Sequence, residues 1–132
     1  MTAWLPRHLV LLICGGLLAA CAEFGPDVDK VKAAETMGQP NDQLVKDIAG
    51  ARGTFKWSGR RSEKYGKSSG IILVEARIER TNRAGNDQVV QLQWLHNRKT
   101  GVVDFEDVLI NGQSRGILGA ALEMLLLDLE VN

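Results

Sequence analysis

IILVEARIERTNRAGNDQVVQLQWLHN, Ile71 to Asn97, holds two alternating runs on either side of a turn. Ile72, Val74, Ala76 and Ile78 fall at every second position, with Leu73, Glu75, Arg77 and Glu79 between them. Side chains alternate across a strand, so this spacing gathers the apolar set on one face, as a half-buried strand requires. Ala84-Gly85-Asn86-Asp87 then supplies turn chemistry, and Val90, Leu92 and Trp94 alternate with Gln91, Gln93 and Leu95 beyond it. Two alternating runs around a turn predict an antiparallel hairpin, with the strands at about Ile71 to Arg83 and around Val90 to Trp94.

Downstream, Asn97 to Gly101 turns the chain again and Val102 to Ile110 reads as a further strand. Val103 and Phe105 share one phase while Val108 and Ile110 share the other. A slip of one residue would expose half of that set, so the sequence predicts a bulge near Glu106-Asp107. Asn111-Gly112 closes the strand. Ile117, Leu118, Ala121, Leu122, Leu125, Leu126 and Leu129 then form a wide apolar stripe on a helix from about Gly116 to Leu129, broad enough to need cover on several sides.

Upstream, Gly59 to Gly70 (GRRSEKYGKSSG) reads as a long solvated loop. Thr54 to Ser58 alternates as a strand, with Phe55 and Trp57 on one side. Leu44, Val45, Ile48 and Ala49 form a helical face that Asn41 can cap and Gly50 ends. Gly38-Gln39-Pro40 breaks an earlier helix over Asp27 to Met37, whose stripe is Val28, Val31, Ala34 and Met37. The sum is an α+β fold: an antiparallel meander of about four strands, covered by N-terminal helices and a C-terminal apolar helix, in an NTF2-like or cystatin-like arrangement.

The first twenty residues have another logic. MTAWLPRH carries one positive charge, LVLLICGGLL is an apolar run too short to span a bilayer, and Ala19-Ala20 are small residues before Cys21. Leu18-Ala19-Ala20-Cys21 resembles the lipobox of bacterial lipoproteins. That resemblance implies a signal peptide over 1–20, an acylated cysteine and short tether over 21–26, and one α+β domain over 27–132. It implies lipidation of Cys21 and a membrane partner through that anchor. It also implies a place in the cell envelope, at the outer membrane facing the periplasm in a diderm bacterium, because Ala22 and Glu23 rather than an aspartate follow the cysteine.

The 132-residue chain balances 16 basic against 16 acidic residues, for a formal net charge of zero. A balance of this kind argues against broad electrostatic capture of nucleic acid, and no nucleic-acid partner is expected. Locally the balance breaks. Arg52, Lys56, Arg60, Arg61, Lys64 and Lys67 cluster against Glu63, and the acids gather from Asp104 to Glu130. The basic run reads either as a solvated loop or as a contact for anionic headgroups.

Chemistry-bearing residues are few. Once the leader is set apart and Cys21 is taken as acylated, the chain keeps a single histidine, His96, and no free cysteine, so neither a Cys-His pair nor a multi-histidine metal site can be assembled. No serine sits in a nucleophile elbow. His96, near a strand end, reads as a surface or edge histidine without a role. Asp104, Glu106 and Asp107 read as a solvated face, without the glycine-spaced oxygen ligands of a calcium loop. No enzyme, cofactor or metal is expected.

VEARIERTNRAGNDQVVQLQWLHNRKTGVVDFEDVLINGQSRGI resembles the C-terminal half of the MlaC-type toluene-tolerance auxiliary proteins, phospholipid carriers of NTF2-like fold. The residues that carry the likeness are Arg77-Ile78, Val103-Asp104, Asp107-Val108, Ile110, Gly112 and Ser114. The likeness implies a lipid-trafficking lipoprotein that takes phospholipid or another hydrophobic ligand in an apolar pocket. Val74, Ile78, Leu92 and Trp94 of the sheet would line it, with Leu122 and Leu125 of the last helix. The alternative is a non-enzymatic lipoprotein of filled core that docks on a larger envelope complex.

Overall fold

The computed structural model describes residues 23–115 and Leu125. Helix α1 (Gly25–Ala33) leads into a two-residue hairpin, β1 (Glu35–Thr36) and β2 (Gln39–Pro40), and then helix α2 (Asn41–Ala49). Five strands follow: β3 (Thr54–Arg61), β4 (Ile71–Thr81), β5 (Asp87–Asn97), β6 (Val103–Ile110) and β7 (Gln113–Ser114). They form one antiparallel meander in sequence order, β3-β4-β5-β6-β7. The class is α+β.

The alternation read from β4 and β5 sets the core. Ile72, Val74, Ala76, Ile78, Val90, Leu92 and Trp94 are all fully buried, and Val31 of α1 with Leu44, Val45 and Ile48 of α2 is buried in the same cluster. Each large aliphatic side chain removed from water in this way contributes about 1.5–3 kcal/mol before entropy is charged against it. The helices therefore lie on one face of the sheet. The other face carries Lys56, Ser58 and Arg60 of β3, Glu75 and Arg77 of β4, and Gln91 and Gln93 of β5.

The expected bulge is present. Gln93 faces Asp107 and Trp94 faces Phe105, which leaves Glu106 without an opposite residue. That extra residue returns Val108 and Ile110 to the face of Val103 and Phe105, opposite Leu92 and Val90.

Four boundaries differ from the expectation. Helix α1 begins at Gly25 with Pro26 in its first turn, so the Gly25-Pro26 pair opens the helix and is no tether. Proline has no N–H to lose there, and its fixed φ suits that position. The helix also stops before Met37, because Met37 (φ 56°) and Gly38 (φ 79°) form the turn that joins β1 to β2. Strand β3 runs on to Arg61 through residues assigned to a loop, since Arg60 and Arg61 pair with Leu73 and Ile72. A fifth strand, β7, folds back on β6 across Asn111 (φ 51°) and Gly112 (φ 82°). The predicted helix over Gly116 to Leu129 lies outside the described residues except for Leu125, which is buried.

Asn41 does not cap α2 with its side chain. Pro40 holds the cap position, and the Asn41 amide turns back to donate to the carbonyl of Val31 at 2.8 Å. One of the carbonyls left over at the end of α1 is satisfied in this way.

Candidate functional site

Two polar constellations stand out, one buried and one exposed. The buried one joins the first turn of α1 to the end of β5. Asp27, 2% exposed, accepts from Arg98 Nη2 at 2.7 Å and Nε at 3.1 Å, and its Oδ1 lies 2.6 Å from His96 Nδ1. Burial alone would raise the Asp27 carboxyl. The hydrogen bonds and charge that Arg98 and His96 supply outweigh it and hold the group below the usual carboxylate value. An ionised carboxylate only accepts, so Nδ1 of His96 must carry the hydrogen. The two-pronged contact in turn holds the Arg98 guanidinium more firmly protonated. Arg98 also donates to the Glu23 carbonyl at 3.0 Å and lies over the Phe24 ring at 5.9 Å.

This arrangement corrects the reading of His96 as a surface residue without a role. Its position continues the inner-face series Val90, Leu92, Trp94, and that parity buries it. Arg80 follows the same rule on β4. It takes the next inner-face place after Ile78 and donates from Nη1 to the carbonyls of Ile48 and Leu125, both at 3.0 Å. A cation suits the C-terminal end of α2, where carbonyls lack helical partners. Neither residue shows as a motif; the signal that could have found them is a polar residue on the buried phase of a strand.

The exposed constellation is the basic margin of the sheet. β3 is an edge strand, and Lys56 and Arg60 point to solvent from the face opposite the helices. Lys56 sits across from exposed Arg77, which lies 3.6 Å from Glu79. Among the described residues, Lys56 and Arg60 form no ion pair. Further round, Arg61 lies 3.5 Å from Glu23, and Lys64 lies 3.5 Å from Glu106, whose charge pushes the lysine up. At the centre of the same face Glu75 accepts from Gln91 at 3.1 Å and Gln93 at 2.8 Å.

Of the residues proposed to line a pocket, Val74, Ile78, Leu92 and Trp94 are fully buried in the core beneath α1 and α2. Trp94 stacks on Trp57 at 5.5 Å, meets Phe105 edge-on at 5.4 Å and donates from Nε1 to Thr36 Oγ1 at 3.1 Å. Leu125 belongs to the same cluster, while Leu122 and Cys21 lie outside the described residues. Asp107 accepts from its own neighbour's N–H and from Ser114 Oγ, both at 2.8 Å. Among the described residues no group of three or more His, Cys, Asp or Glu gathers as a metal would need, and no helix is long and apolar enough to cross a membrane.

No family model matches the chain, and no solved structure matches it. Curated proteins do. A probable transcriptional regulatory protein of Trichormus variabilis is 30% identical over 137 aligned positions, which take in 85% of this chain and 53% of that protein. Another probable transcriptional regulatory protein, from Nostoc sp., is 32% identical over 112 positions, 67% of this chain and 43% of that protein. The chain thus spans about half the length of the curated relatives it matches.

These matches correct the likenesses drawn from the sequence. Both relatives are named as regulators of transcription, and neither as a lipoprotein or an MlaC-type carrier. The assignments that hung on those likenesses are withdrawn: a lipid-anchored envelope protein, phospholipid or hydrophobic-ligand binding, docking on an envelope complex, outer-membrane placement, and the exclusion of nucleic acid. The structure shows why the carrier signature misled. Val103, Asp104, Asp107, Val108 and Ile110 are the alternation of a bulged strand, Gly112 is, with Asn111, a positive-φ residue of its turn, and Ser114 belongs to the return strand. Any hairpin of that shape favours those residue types.

Proposed function

We propose that this chain forms a nucleic-acid-contacting domain of a regulatory protein, and that the solvent face of β3 makes the contact. The observation that carries the reading is the pair Lys56 and Arg60 on an exposed edge strand, neither engaged in an ion pair among the described residues. The naming of its relatives as probable transcriptional regulators supports it. Cations of this kind bind phosphates by displacing condensed counterions, a mode that needs no net positive charge on the chain as a whole. Arg77, facing Lys56, extends the basic ground inward by one strand. Of the acids of β6, Glu106 is paired with Lys64, and Asp104 and Asp107 lie beyond β5, opposite Leu95 and Gln93, so a phosphate backbone would keep to the β3 margin.

Fluorescence anisotropy of a labelled oligonucleotide with the full chain, taken across a salt series, tests this. Binding should weaken as salt rises. The double variant Lys56→Glu/Arg60→Glu should bind less tightly, with a log–log salt slope shallower by about 0.9 for each duplex phosphate contact removed. Binding that ignores salt, or a double variant that binds as the wild type does, overturns the reading.

A further inference from the structure

β3 has a second open surface, distinct from its face: its backbone edge. Ser62 donates its N–H to the carbonyl of Ile71 at 3.0 Å, and those two residues follow directly on the Arg61–Ile72 pair. In an antiparallel ladder the peptide groups alternate between the two sides of a strand. Arg60, Ser58, Lys56 and Thr54 therefore turn their N–H and C=O groups towards β4, and Phe55, Trp57, Gly59 and Arg61 turn theirs away from it. No strand among the described residues pairs with that outward side. β3 is eight residues long, holds no proline and pairs with β4 without a break in register. Short edges, prolines and bulges keep a free edge from pairing at all, and β3 has none of them; the device it does carry is charge, Lys56 with Arg60, which works against a like-charged strand and not against an acidic one.

Side chains on either side of this edge say what kind of strand would fit. On the helix side stand Phe55, 38% exposed, and half-buried Trp57. On the opposite side stand Lys56 and Arg60. We propose that β3 is a strand-addition site for an extended segment of another protein, one whose residues alternate between apolar side chains and carboxylates. The backbone ladder would hold the segment; its apolar residues would cover Phe55 and Trp57, and its carboxylates would pair across the strands with Lys56 and Arg60. The same cations work against joining a second copy in the register centred on Ser58, where Lys56 of one chain would meet Arg60 of the other. Lys56 and Arg60 serve this contact and the nucleic-acid face alike, so the two ligands exclude one another.

The test uses the full chain without nucleic acid and a synthetic peptide as long as β3 that alternates Glu with Val, against its Lys/Val counterpart. Amide exchange followed by NMR is the readout. The Glu peptide should protect the amides of Phe55, Trp57, Gly59 and Arg61, and the Lys peptide should not. Lys56→Glu/Arg60→Glu, a change at two exposed positions, should weaken the Glu peptide about tenfold or more and favour the Lys peptide, because attractive cross-strand pairs become repulsive ones. Failure of both peptides to protect those amides overturns the proposal. So does protection that grows with protein concentration alone, together with a dimer's mass in sedimentation, since the occupant is then a second copy of this chain.

Discussion

Asp27 is the residue on which the N-terminal helix depends. It is buried, ionised and held by two partners on β5 and just beyond it, Arg98 and His96. Asp27→Asn keeps the shape and removes the charge, leaving Arg98 and His96 facing a neutral amide. A buried pair broken on one side loses several kcal/mol, and with Arg98 partly exposed the expected loss is about 2–3 kcal/mol, measurable by urea unfolding. The pH dependence follows from the direction of the shift. Because the folded protein holds this carboxyl below its ordinary value, the unfolded chain takes up the proton first. The contribution is therefore complete above the ordinary carboxylate range and is lost as pH falls through the lowered value. Wild type should lose stability more steeply than Asp27→Asn on acidification from pH about 5; parallel curves for the two would show that the carboxylate carries no such linkage.

At the scale of elements, the N-cap residue of α1, Phe24, lies tight against β3. A Cβ added to Gly59 would stand 2.7 Å from Cβ of Phe24, far inside van der Waals contact. Gly59→Ala should destabilise the fold by about 1–3 kcal/mol, and Phe24→Gly, which removes the opposing Cβ, should recover part of the loss in a double-mutant cycle on thermal unfolding. Independent, additive effects would mean that the helix stands off the sheet. The same junction shows what the sequence makes legible. The hairpin of β4 and β5 was readable because period-2 burial leaves a mark at every position, and the bulge was readable because Val103, Phe105, Val108 and Ile110 cannot share a face without one. Neither the Gly25-Pro26 start of α1 nor the turn at Met37-Gly38 leaves such a mark. Proline both breaks helices and begins them, and methionine seldom occupies positive φ, so local chemistry pointed the wrong way at both ends. The site was less legible still. Asp27 and His96 stand 69 residues apart, a separation that no spacing rule links. The basic stretch was visible as composition, but only the strand order makes Lys56 and Arg60 residues of an edge.

Across the whole molecule, the five strands β3 to β7 of the main sheet follow one another in space as they do along the chain, each pairing with the next. Such a meander can assemble hairpin by hairpin, closing only short loops at each step, and chains built on local pairing fold quickly for their size. The contacts of the N-terminal elements with the sheet are the exception, and the clamp on α1 closes the longest of these loops described above, nearly seventy residues, with little to hold until β5 is in place. Its contacts should therefore be absent from the folding transition state. Removing the Asp27 charge should leave the refolding rate almost unchanged and appear nearly in full as faster unfolding, read from the two arms of a denaturant chevron. Slower refolding in Asp27→Asn would place the helix in the nucleus instead. With refolding unchanged, the ion cluster that fastens α1 acts as a latch set after assembly, one that fixes how long the folded state lasts more than how fast it forms.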